Sequence, residues 1–148
     1  MLVMPTLAQE RTVGLLMNSD EVYEGYTLFA PQFTEFIYLI DNEGRIVHSW
    51  DIEGTTAVRE ARILENGNLV LIARSRFTID DSLIPGNYLS DGSLREYTWD
   101  GTLIWEYQFT GDKEHQHHGF KIMPNGNVLV IIFEYKPIED AIALGLDP

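Results

Sequence analysis

Ile63-Leu-Glu-Asn-Gly-Asn-Leu-Val-Leu-Ile72 returns as Ile122-Met-Pro-Asn-Gly-Asn-Val-Leu-Val-Ile131. Each copy is an apolar run, an Asn-Gly turn and a second apolar run. Asn-Gly between such runs is a strong hairpin signal, because both central residues of a two-residue hairpin turn take positive φ. The likeness extends toward the N-terminus of each copy. Tyr38-Leu-Ile-Asp-Asn-Glu-Gly-Arg-Ile-Val-His-Ser-Trp50 precedes the first, and Glu96-Tyr-Thr-Trp-Asp-Gly-Thr-Leu-Ile-Trp-Glu-Tyr107 precedes the second. Gly44 and Gly101 lie 57 residues apart, and Asn66 and Asn125 lie 59 apart. A repeat of this length built from hairpins predicts an all-β chain of β-propeller blades, each of four antiparallel strands.

Short strands bounded by turns account for nearly the whole chain. Thr12–Met17 and Tyr26–Phe29 flank a loop, Asn18–Gly25, and Glu35–Ile40 and Arg45–Trp50 flank Asp41–Gly44. Glu60–Leu64 and Leu69–Ala73 follow, then Leu94–Trp99 and Leu103–Phe109, then Phe120–Met123 and Val128–Phe133. The runs are apolar on both faces more often than they alternate, as in sheets covered on both sides. Blade one is assigned to residues 12–51, blade two to 58–110 and the start of blade three to 117–134. Arg74 to Asp91 has the length of a functional loop, with a plain surface loop as the alternative. Glu139–Leu144, stopped by Gly145, is the one helical segment.

About two and a half blades fit in the partial propeller domain, residues 12–148, whereas closed rings use roughly 4–8. The expectation is a fragment of a longer propeller, or self-assembly into a homo-oligomer, because an open stack leaves apolar faces bare. Met1–Ala8 is apolar and ends in a small residue. Thr6 and Ala8 stand where a signal peptidase reads, so residues 1–11 are expected to be a signal-peptide remnant and tail of a periplasmic or secreted protein. No run of 18 apolar residues is present to span a membrane. The formal charge of -13 argues against nucleic acid as a partner, and requires any anion site to be locally cationic. There is no cysteine, which excludes thiol chemistry and disulfides.

That local cationic requirement is met at one place. The offset between the Asn-Gly-Asn turns sets His117 and His118 against Val58 and Arg59, and Lys121 against Arg62. The mouth of each blade's inner strand thereby carries Arg59 and Arg62 in one copy, and His115, His117, His118 and Lys121 in the other. An imidazole titrating near neutrality serves as nucleophile or general acid–base, and guanidinium groups clamp anions. His117 and His118 are the candidate catalytic residues, and Arg59, Arg62, His115 and Lys121 the candidate substrate-binding residues. Two other readings stand beside this one: histidines that serve only the loop or lie exposed without a role, and, as a second functional alternative, a metal site built on His115, His117 and Glu114, which lacks a visible fourth ligand. His48, in mid-strand, is expected to be structural. Trp50, Trp99 and Trp105 are expected to pack between blades.

The ordered set Gly25-Tyr-Thr-Leu-Phe29, Tyr38 to Trp50, Trp105-Glu106 and His117-His-Gly-Phe-Lys-Ile-Met-Pro-Asn-Gly-Asn127 resembles the bacterial arylsulfotransferase family. The resemblance spans residues 12–134. It implies a six-bladed propeller, exported to the periplasm, that moves a sulfuryl group from an aryl sulfate to a phenol through a sulfated histidine, with no cofactor. The family's His-His pair matches His117 and His118, which are substrate-positioning residues if the sulfated histidine belongs to the remaining blades. Its pattern has Asp after the pair, where this chain has Gly119, so an orienting carboxylate is missing from that position. A non-catalytic propeller that binds ligands or partners is the alternative, since fold does not dictate function.

Overall fold

A computed structural model describes residues 14–75, 92–109 and 114–147. The expected signal-peptide remnant and most of the Arg74–Asp91 loop lie outside the described residues. Within them the chain is all-β apart from one short helix. β1 (Thr27–Phe29), β2 (Phe36–Ile40) and β3 (Ile46–Asp51) form a first sheet in that order. β4 (Thr55–Ile63), β5 (Leu69–Ser75), β6 (Gly92–Tyr97) and β7 (Leu103–Gln108) form a four-stranded meander. β8 (Glu114–Ile122) and β9 (Val128–Glu134) form a two-stranded sheet. Every pairing is antiparallel, and none of the sheets closes on itself.

The Asn-Gly-Asn turns differ from the two-residue form that their sequence suggests. Leu64 N–H bonds to Asn68 O at 2.8 Å and Gly67 N–H to Leu64 O at 2.9 Å, with φ of 85° at Gly67. Met123, Asn127 and Gly126 repeat this with 2.7 and 2.9 Å bonds and φ of 83° at Gly126. Only the glycine takes positive φ. This is the three-residue loop in which a type I turn is followed by a left-handed residue, so the asparagine needs no unusual conformation. Its role is a side-chain one: Asn66 Oδ1 accepts Asn68 N–H at 3.0 Å, and Asn125 Oδ1 accepts Asn127 N–H at 3.1 Å.

Packing explains why β5 does not alternate between apolar and polar residues. Leu69, Leu71 and Ala73 cluster with Ile37, Leu39, Trp50 and Ile52 of the first-sheet segment. Val70 and Ile72, on the opposite face, cluster with Leu94 and Phe120. The middle sheet is therefore covered on both sides, and the three sheets stack face to face. At the first seam, Trp50 is buried and its Nε1–H donates to Thr98 O at 3.4 Å. The His48 ring stacks on Trp99 with centroids 4.2 Å apart, and its Nε2 lies 2.7 Å from Trp99 O. A carbonyl only accepts, so Nε2 carries the proton. His48 and two tryptophans thus join the first sheet to the second.

Two features depart from the strand reading. Gly14–Met17 joins no ladder, so the first sheet has three strands rather than four. The edge it would have to extend, β1, is only three residues long and offers few partners. β4 and β8 both begin earlier than the periodicity implies, at Thr55 and Glu114. The expected C-terminal helix forms as α1 (Ile138–Ala143). Gly145 at φ 105° ends it, with Gly145 N–H on Ile142 O and Leu146 N–H on Ala141 O, the paired closure typical of a glycine stop.

Candidate functional site

The paired histidines lie inside β8, not ahead of it. Glu114, His115 and Gln116 pair with Glu134, Phe133 and Ile132, and pairing resumes at Phe120 opposite Val130. His117, His118 and Gly119 therefore bulge out opposite the single residue Ile131. Periodicity could not reveal this, because a bulge is set by register against the partner strand. β4 has a smaller irregularity at the matching sequence position: Val58 pairs with Ala73 and Glu60 with Ile72, leaving Arg59 unmatched. Such interruptions re-aim side chains and are frequent beside active sites.

His118 has a φ of 35°, which costs a residue with a Cβ about 1–2 kcal/mol. The His117 and His118 rings lie 4.1 Å apart between centroids, and His117 meets the Phe133 ring edge-on at 4.4 Å. His118 is exposed, and its pKa is lowered from the ordinary imidazole value by partial removal from water, then by His117 and by Arg59. Arg59 is itself half-buried, and burial followed by the charge of Arg74 lowers its pKa. His118 is thus close enough to His117 and Arg59, and Arg59 to Arg74, for these charges to be felt. Arg74 was not a candidate from sequence, since it closes β5 and reaches the group only through the pairing of β5 with β4 and β6.

The other candidates are placed differently. Arg62 Nη2 is 2.5 Å from Glu60 Oε1, and its guanidinium lies over the Phe120 ring at 5.4 Å. Lys121 is exposed, opposite Leu129. His115 and Glu114 enter the ladder, and their side chains lie outside the described residues, as does the metal reading that needs them. Among the described residues no group of three metal-ligating side chains converges.

Two further groups escape a sequence reading. Glu60 reaches across the seam, and its Oε2 accepts Phe120 N–H at 3.2 Å. A Cβ placed on Gly119 would lie 3.6 Å from that same oxygen. A carboxylate from β4 therefore occupies the space beside Gly119. Gln116 is buried, and both its amide nitrogen and oxygen lack a partner among the described residues. It lies so close to Gly92 that a Cβ there would come within 2.7 Å of Gln116 Oε1 and 3.1 Å of its Cβ. Two clefts of about 510 and 570 Å³ open along the first sheet, lined by residues such as Asp41, Arg45, Leu39 and Trp99, and neither includes the histidines.

In this chain guanidinium groups lie near an imidazole whose pKa is lowered, a combination of groups that suits an oxyanion. No helix of the described residues is long and apolar enough to cross a membrane. Comparison with models of known protein families, with curated proteins and with solved structures finds no match to this chain.

Proposed function

We propose that these sheets are blades of an exported, six-bladed propeller that transfers a sulfuryl group from an aryl sulfate to a phenol. The observation that carries the reading is the bulge in β8, which sets His117 and His118 ring to ring within the field of Arg59. The face-to-face stack supports the propeller, since consecutive blades pack this way and the outer faces still ask for neighbours. Export rests on the apolar N-terminal segment alone.

The chemistry follows from the charges. The lone pair of the neutral His118 imidazole attacks sulfur, and the S–O bond to the aryl group breaks. The phenolate leaves with that electron pair. The lowering of its pKa favours the neutral, attacking form of His118, and Arg59 with Arg74 stabilises charge on the sulfuryl oxygens. In the second half the acceptor hydroxyl attacks sulfur, the N–S bond breaks, and the hydroxyl proton passes to His117. His118 is regenerated neutral, and His117 returns its proton to solvent.

The test is transfer from 4-nitrophenyl sulfate to phenol by the full-length protein. Release of 4-nitrophenolate should depend on phenol, and His118→Asn should lower the rate by at least about a hundredfold, the scale of losing a nucleophile. His117→Asn should slow the acceptor step by roughly 10²-fold, the low end of general acid–base contributions. Wild-type protein that binds aryl sulfate without turnover, or His118→Asn protein with undiminished rate, would contradict the proposal.

A further inference from the structure

The bulge that carries the histidines is held from outside its own sheet. β8 breaks its ladder over His117–Gly119, so the backbone there lacks the regular pairing that fixes the rest of the strand. The first amide after the break, Phe120 N–H, donates to Glu60 Oε2 at 3.2 Å. Glu60 is anchored in turn, with Oε1 bonded to Arg62 Nε at 2.7 Å and paired with Nη2 at 2.5 Å. Arg62 lies over the Phe120 ring, so acid, guanidinium and aromatic close a loop between β4 and β8. Gly119 has no side chain to contest the space, and the nearest atoms to a Cβ there would be Ile131 Cδ1 at 3.5 Å and Glu60 Oε2 at 3.6 Å.

We infer that Glu60 is a positioning residue: its carboxylate, delivered from the neighbouring sheet, fixes the β8 bulge in the shape that presents His117 and His118 beside Arg59. The inference rests on the reading of the histidines as the working groups, and adds the residue that orders them. Three features point to this role over a plain surface ion pair. The acceptor is spent on a backbone amide across a seam, not on a second exposed charge. The bonded amide is the first one after the bulge. The bulge includes a histidine with positive φ, a conformation that persists only when its surroundings hold it.

His118 shares its strand with His117 and Lys121, β4 carries Arg59, Glu60 and Arg62, and β5 carries Arg74; of these, His117 and Arg59 act on the His118 charge. Glu60 acts on His118 through the backbone, so the acceptor atom matters more than the negative charge. That separates two substitutions. Glu60→Gln keeps an oxygen for Phe120 N–H, and Glu60→Ala removes it. Glu60→Asp keeps the charge but is shorter by one methylene, and serves where the alanine variant does not fold.

The experiment measures, in the full-length protein, hydrogen exchange of the Phe120 amide and the NMR titration midpoint of His118 for these variants. Glu60→Ala or Glu60→Asp should speed Phe120 exchange by at least about tenfold relative to amides of β5, as expected for local rather than global opening. The His118 midpoint should rise toward that of an ordinary histidine, and Glu60→Gln should restore both readouts to near wild type. Unchanged exchange and midpoint in Glu60→Ala and Glu60→Asp overturn the assignment, as does failure of Glu60→Gln to restore them. Both readouts are independent of turnover. Protein that shows the expected shifts but transfers no sulfuryl group would retain the positioning role and lose the proposed reaction.

Discussion

Replacing Leu129 and Ile131 with lysine should weaken self-association of the 148-residue chain. Both lie on β9, on the face turned away from the middle sheet, where they are 58% and 59% exposed. Phe133, at 44% exposure, continues that surface. Burying such a side chain completely is worth about 1.5–3 kcal/mol, so roughly 1 kcal/mol remains available at each when half of it is already covered. Three of them offer about 3 kcal/mol to a second copy, on the order of a hundredfold in association constant. Removing two leaves about a third of that, and also places ammonium groups where a partner would desolvate them. The dissociation constant of the 148-residue chain, measured by sedimentation at several concentrations, should rise by at least about thirtyfold. Charge alone pushes the other way, because two lysines reduce the formal charge of -13 that keeps copies apart. A wild-type chain that sediments as a monomer at all concentrations, or a variant that associates as tightly as wild type, would refute the idea that the stack ends on unfilled faces.

Other outcomes follow from the same contacts. Gly92→Ala should destabilise the protein by about 1–3 kcal/mol in urea, the usual cost of overpacking, because its Cβ would meet Gln116; Gln116→Ala in the same chain should recover much of the loss. Gln116→Met should raise stability by about 1–2 kcal/mol, since it removes an amide buried without a partner among the described residues, and a urea midpoint that falls would contradict this. Gly126→Ala should cost about 1–2 kcal/mol through its φ of 83°, with Gly126→Asn costing less, as read by thermal unfolding. His118 should titrate below the ordinary imidazole value of 6.5, and Arg59→Gln should raise its midpoint, as followed by NMR. Because folding favours the neutral ring, its contribution to stability is complete above the ordinary value and is lost as pH falls through the lowered one.

The residues that reveal the architecture act locally. Gly44, Gly67, Gly101 and Gly126 each sit at positive φ in a hairpin, and their spacing alone set out four turns. Leu69 to Ile72 read as a strand covered on both faces because no polar residue interrupts it, and the two clusters around it bear this out. The exception, Gly14–Met17, is apolar enough for a strand and lacks an edge to join. The candidate site was legible in part. Counting between the two Asn-Gly-Asn turns brought Arg59 and His118 to corresponding positions, and the structure places both at breaks in their ladders. What did not show was everything decided by the partner strand or the next sheet. The bulge depends on the register of β9, the approach of Arg74 on β5, and the reach of Glu60 on a seam between residues sixty positions apart. Arg62 shows the same limit: its spacing made it a substrate-binding candidate, and only the structure shows its pairing with Glu60 two residues away.

The most direct test of the proposed reaction is mass spectrometry of the full-length protein quenched during reaction with 4-nitrophenyl sulfate in the absence of phenol. A single sulfuryl group on the peptide containing His118, lost on adding phenol and absent from His118→Asn, is the predicted result. Turnover with no sulfuryl group on that peptide, or with the group on a histidine elsewhere in the protein, would contradict it.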